Sequence, residues 1–114
     1  MNIESWLAEF KQAWLSHDID RVLTLFTEDV EYWETPLKRL NSIDELRVEW
    51  RGILLQDSIQ ITTHVYSSTE NRHAVIWHLR YVDQADNEQV WAGTYLITLN
   101  GEGKCTYFHH AGEK

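Results

Sequence analysis

The 114-residue sequence carries 18 Asp+Glu against 10 Lys+Arg, a formal net charge of −8, and its length suits one domain, residues 1–114, built on one core. No Lys/Arg run offers a phosphate-backbone footprint and no apolar run approaches the ~20 residues of a membrane span, so neither nucleic acid nor a bilayer is expected as a partner. One cysteine, Cys105, excludes an internal disulfide and a thiolate metal cage, and the acidic, helically patterned start MNIESWLAEFKQAW is unlike a signal peptide, which makes a cytoplasmic protein the expectation.

Ile3, Trp6, Leu7, Phe10, Ala13 and Trp14 recur at spacings of three and four, predicting a helix from Ile3 to Ser16 with one wide apolar face. Asp18 is a good N-cap for a second helix carrying Ile19, Val22, Leu23, Leu25 and Phe26. Asp29 to Pro36, DVEYWETP, alternates as a short strand with Val30, Tyr32 and Glu34 on one side; a connecting loop follows. Ser42-Ile-Asp-Glu45 has the form of a capping box, and Ile43, Leu46, Trp50, Ile53 and Leu54 continue it as a third amphipathic helix that Gly52 weakens near its end. From Ser58 to Ser68, Ile59, Ile61, Thr63 and Val65 alternate with polar neighbours and Tyr66, which predicts a second strand.

The longest pattern comes next. Ala74 to Leu99 has two arms rich in Val, Ile, Trp, Tyr and Thr joined by the polar DQADNE, the composition of a β-hairpin. Pairing the arms about that turn sets Leu79 opposite Trp91, Trp77 opposite Gly93 and Val75 opposite Tyr95, so these residues and Ile97 share one face. Gly93, in mid-strand between aromatics, either opens space for a ligand or relieves twist and makes room for Trp77. NGEGK, Asn100 to Lys104, then turns into a last strand, Cys105 to Ala111, completing a meander.

Helices followed by antiparallel strands specify an α+β fold: three N-terminal helices packed on a curved, mainly antiparallel sheet that forms a cone with an internal pocket. The other sheet face, with Ala74, Ile76, His78, Val90, Ala92, Thr94 and Leu96, is too apolar to leave in water, so a homodimer through it is expected.

Together with this element order, D-I-D at Asp18 to Asp20, L-F-T-E-D-V at Leu25 to Val30, E-T-P at Glu34 to Pro36 and N-G-E-G-K at Asn100 to Lys104 resemble the nuclear transport factor 2-like superfamily over nearly the whole chain. Within it the chain looks like the SnoaL-like and ketosteroid-isomerase-like branch. This fold hosts isomerases, dehydratases, cyclases, epoxide hydrolases and binding domains, so the resemblance implies fold more than function. By position, the carboxylate base of the ketosteroid isomerases falls on Glu34. The helix tyrosine of their oxyanion hole falls on Phe10, which cannot donate, and the penultimate-strand aspartate falls on Tyr95, which can. A supporting helix tyrosine falls on Trp50, whose indole N–H is expected to point elsewhere. Pocket positions of the last strand fall on Phe108 and His110, with His109 outward, and Glu34, His110, Tyr32 and Tyr95 match part of the scytalone-dehydratase-like set.

Beside Tyr32, Glu34 would enter a cavity lined by Trp14, Trp50, Trp77 and Phe108. Desolvation there raises a carboxyl pKa towards neutrality, as a base for C–H abstraction next to a carbonyl requires. Tyr95 would donate to the developing enolate and His110 would shuttle the proton. The plainer alternatives are a strand-end carboxylate paired with Lys38 or Arg39, a core tyrosine satisfied by a carbonyl, and a structural histidine. No cofactor is called for, and no metal site is expected: adjacent His109 and His110 face opposite ways, and His64, His73 and His78 lack ligand spacing. Six tryptophans favour a pocket for a small hydrophobic or aromatic molecule, bounded by Phe10, Trp14, Tyr32, Trp50, Trp77, Gly93 and Phe108. Two readings follow. One is a cofactor-free isomerase, dehydratase or cyclase acting by proton transfer on a small apolar carbonyl compound; the other is a non-catalytic module that binds a small hydrophobic ligand or only dimerises.

Overall fold

Asn2 opens the first helix, its side chain accepting from the Ser5 N–H at 2.8 Å, and α1 runs Ile3–Leu15 in a computed structural model that describes residues 2–114. Its apolar stripe, from Ile3 to Trp14, is wholly buried. Asp18 caps α2, Ile19–Leu23, by accepting from the Arg21 N–H at 3.1 Å. This helix ends before Leu25 and Phe26, which the helical spacing includes. The Leu25 carbonyl instead accepts from the Trp6 indole at 3.1 Å and from the Cys105 N–H at 2.8 Å, and Phe26 begins β1, Phe26–Thr35. Long-range backbone pairing there overrides local periodicity.

A second departure follows Pro36. Where a loop is expected, Lys38–Leu40 forms a three-residue edge strand, β2, paired antiparallel with β1. Ser42 caps α3, Ile43–Trp50, accepting from the Glu45 N–H at 3.1 Å, while the Glu45 carboxylate reaches back to the Asn41 N–H, one residue earlier than a capping box specifies. Over Gly52 the helix tightens into a 3₁₀ turn, Arg51–Leu55, which buries Ile53 and leaves Leu54 exposed.

Four long strands complete the chain: β3 Asp57–Ser68, β4 Arg72–Val82, β5 Glu88–Leu99 and β6 Cys105–Glu113. The sheet order is β2-β1-β6-β5-β4-β3, parallel between β1 and β6 and antiparallel elsewhere, so the curled sheet is not closed. The hairpin register is Leu79 with Trp91, Trp77 with Gly93 and Val75 with Tyr95, as the turn predicts. Val75, Trp77, Leu79, Tyr95 and Ile97 are buried on the inner face against α1 and α3. This is the α+β cone expected from the element order.

Gly93 has a different task from either one expected. A Cβ on it would lie 1.9 Å from the Ala111 carbonyl oxygen, and one on Gly112, its partner across β5 and β6, would lie 2.4 Å from Trp77 Cζ2. Gly93 lets the β6 backbone close over β5, and Gly112 makes room for Trp77. On the outer face Leu96 is 44% and Val90 47% exposed. Among the described residues no helix is long and apolar enough to cross a membrane.

Candidate functional site

Between α1, α3 and the inner sheet face lies a cavity of about 390 Å³. Phe10 and Trp14 line it from α1, Tyr32 and Glu34 from β1, Trp50 from α3, Trp77 from β4, Tyr95 from β5, and Phe108 and His110 from β6. Strand alternation and the helical stripe bring all nine together. Gly93, the tenth residue expected to bound the pocket, does not line it, because β6 fills the space above its Cα.

Glu34 stands two residues after Tyr32 on one face of β1, just before Pro36 ends the strand. Burial first, and then the charge on Glu49, raise its carboxyl to about 7, a net value against which the Lys38 ammonium and hydrogen bonding from Tyr32 work. No ion pair with Lys38 or Arg39 forms. The Lys38 Nζ lies 3.6 Å from Glu49 Oε2 instead, and among the described residues Glu34 forms no ion pair.

The Trp50 indole does not point away from the site. Its N–H donates to the Tyr32 hydroxyl at 3.2 Å, docking the end of α3 on β1. Tyr95 is 2% exposed, and its hydroxyl makes no hydrogen bond to any described residue. Burial, then the charge of Glu34, holds its pKa far above the ordinary value, so it stays a neutral donor. Phe10 meets the Tyr95 ring edge-on at 6.0 Å and offers no donor. The Trp77 ring stacks on Tyr95 at 5.4 Å and on His110 at 5.1 Å, and its buried Nε1–H has no partner among the described residues. A buried unpaired donor costs about 1–3 kcal/mol, so this N–H stands beside the Tyr95 ring ready to donate.

His110 Nδ1 lies 2.7 Å from the Glu34 carbonyl. A carbonyl can only accept, so Nδ1 carries the hydrogen and Nε2 keeps the lone pair. Burial lowers the imidazole pKa; the bond to Glu34 raises it and His109 lowers it, with a net shift below the ordinary value.

Three polar groups of this wall are absent from the sequence-based candidates. Glu49 and Lys38 line the cavity mouth, and Gln56 Oε1 accepts from the Trp14 indole at 2.8 Å. Glu49 reads as the polar face of α3 and Lys38 as loop, so only the S-x-x-E signal that phases α3 bears on where Glu49 lies. Among the described residues no group of three or more His, Cys, Asp or Glu could hold a metal ion.

A SnoaL-like domain family model matches residues 7–108. No curated protein matches the chain. Among solved structures the chain is similar to the Delta 5-3-ketosteroid isomerase of Mycobacterium sp., at 15% identity over 98% of this chain and 92% of that one, with a TM-score of 0.79. It is also similar to the epoxide hydrolase/cyclase-like enzyme SalBIII of salinomycin pyran ring formation, at 16% identity over 96% and 89% with a TM-score of 0.82. A third is RV0760c from Mycobacterium tuberculosis, solved with estradiol-17beta-hemisuccinate, at 15% identity over 91% and 88% with a TM-score of 0.76. At these identities the likeness establishes the fold.

Proposed function

The chain belongs to the SnoaL-like domain family, and from that premise we propose that it is a cofactor-free enzyme moving a proton on a small apolar carbonyl compound, with Glu34 as general base. The observation that carries this reading is the place of Glu34 in an aromatic cavity, where burial and Glu49 raise its carboxyl to about 7, together with a Tyr95 hydroxyl that no described residue engages. In the reaction the Glu34 carboxylate takes a proton from the carbon next to the carbonyl, and the C–H electron pair moves into the enolate. Tyr95 donates a hydrogen bond to the enolate oxygen, a contact worth ~100-fold to 1,000-fold in rate. The Glu34 proton then returns to another carbon in an isomerisation, or goes to the leaving hydroxyl in a dehydration. His110, neutral and fixed in one tautomer, anchors the backbone that carries the base.

The steroid isomerase activity and the steroid ligand of two similar structures support a flat, apolar substrate. A second reading, binding without catalysis, is favoured by one residue: Phe10 leaves the helix side of the oxyanion position without a donor. A homodimer through the outer sheet face is supported by the exposure of Leu96 and Val90.

Deuterium exchange separates the two readings. A panel of small apolar ketones is incubated with the protein in D₂O, and loss of the α-proton signal is followed by NMR. Exchange by the wild type, abolished in Glu34→Gln, is the expected result. Ketones that bind the wild type yet exchange no faster than with Glu34→Gln would leave a binding protein.

A further inference from the structure

Glu49 reaches the cavity from the last turn of α3. The next residue, Trp50, donates to the Tyr32 hydroxyl, which docks this turn on the face of β1 that carries Tyr32 and Glu34. Lys38 stands opposite Thr35 across β1 and β2, and its ammonium is engaged by Glu49 at 3.6 Å. Glu34, Lys38 and Glu49 thus form one charged cluster on the wall of an aromatic cavity, and Glu34 is left without a cation of its own.

We propose that Glu49 is a positioning residue for Glu34: held by Lys38 on the same cavity wall, its side chain favours a proton on Glu34, where substrate can exchange it. The proposal rests on the reading of Glu34 as the base. A negative charge near a carboxyl disfavours its ionisation, so Glu49 on the same wall works to keep the proton on Glu34. The remaining titratable side chains that line the cavity are Tyr32 from the same strand, Tyr81 from β4, Tyr95 from β5 and His110 from β6. Burial holds the Tyr32 and Tyr95 phenols far above their ordinary range and holds the imidazole below its own, so these three are uncharged near pH 7. From α1 only Phe10 and Trp14 line the cavity. Glu49 and Lys38 are therefore the charges that set how tightly Glu34 holds its proton. A base that takes a proton and returns it works best with its midpoint near the working pH, and Glu49 keeps Glu34 there.

The test is a carboxyl-carbon NMR titration of Glu34 in the full chain and its variants. Glu49→Gln should lower the Glu34 midpoint by about one pH unit, and Glu49→Asp should restore most of it. Lys38→Met, which alters an exposed rim side chain, should move the midpoint in the opposite direction and keeps the test available if Glu49→Gln does not fold. A midpoint unmoved by either change overturns the positioning role, even if wild-type exchange activity is present. Absent exchange with midpoints that shift as stated overturns the enzyme reading and leaves the positioning role of Glu49 standing.

Discussion

The imidazole of His110 donates through Nδ1 to the main-chain carbonyl of Glu34 at 2.7 Å, joining the last strand to the strand end that bears the acid. β6 and β1 are parallel neighbours, with Tyr32 beside Phe108 and Trp33 beside His109, but their regular pairing extends only as far as Trp33. The imidazole bond takes over where that ladder stops. It fixes the position of Glu34 against a wall made by Trp77 and Tyr95, on which the same imidazole packs.

Stability should depend on Glu34 in a direction opposite to most carboxylates. Its carboxyl lies at about 7 in the folded chain against an ordinary 4.5, so between those values the folded chain holds a proton that the unfolded chain has lost. The stabilisation is full below about pH 4.5, falls as pH rises to about 7, and is absent above it. At roughly 1.4 kcal/mol per pH unit the whole span amounts to about 3 kcal/mol. His110 and His73, both lowered by burial, act the other way, losing their contribution as pH falls below 6.5. Urea denaturation of wild type and Glu34→Gln at pH 5 and pH 8 isolates the carboxyl. The wild type should lose about 2.5 kcal/mol more than the variant between the two; parallel losses contradict the shift.

Tyr95→Phe should separate activity from stability. The hydroxyl makes no hydrogen bond to a described residue, so its removal strands no partner, and thermal stability should hold within about 0.5 kcal/mol. Ketone exchange should fall ~100-fold to 1,000-fold. A destabilised variant with unchanged exchange would make Tyr95 a core residue only.

Gly93→Ala should be among the costliest single changes on the sheet. The new Cβ would meet the Ala111 carbonyl oxygen at 1.9 Å, and a backbone atom cannot move aside as a side chain can. Overpacking of this kind costs about 1–3 kcal/mol or more, and the upper end is expected, measured by urea denaturation. Gly112→Ala, which meets the edge of the Trp77 ring, should cost less and change tryptophan fluorescence. A Gly93→Ala protein as stable as wild type would refute the close approach of β6.

If the outer face joins two copies, Leu96→Lys should separate them. Sedimentation equilibrium at micromolar concentration should give twice the 13.5 kDa chain mass for wild type and the single mass for the variant. A wild type that sediments at the single mass contradicts the dimer.

The sequence is most informative where one physical signal acts alone. Strict alternation about one polar turn specifies the β4–β5 register, and the α1 stripe specifies which side faces the sheet. It misleads where two signals compete: Leu25 and Phe26 continue a helical spacing, yet Cys105 and Trp6 claim the Leu25 carbonyl from far along the chain. The three-residue β2 is too short and too charged to show a period. At the site, alternation is enough to put Tyr32, Glu34, Tyr95 and His110 on inward faces. It carries nothing about side-chain rotation, so the Trp50 indole is legible as a donor and not as a donor to Tyr32. Glu49 is hidden for a further reason. It looks like an ordinary solvated residue of α3, and its meaning comes only from Lys38 and Glu34 on strands that the fold brings to it.

Proton transfer in this cavity requires Glu34 to titrate near neutral pH. A carboxyl-carbon NMR titration of the wild-type protein measures this directly, with Glu34→Gln assigning the resonance. A midpoint near 7 is the predicted result. A midpoint near 4.5, the ordinary value, would contradict the buried base and with it the proton-transfer reading of the cavity.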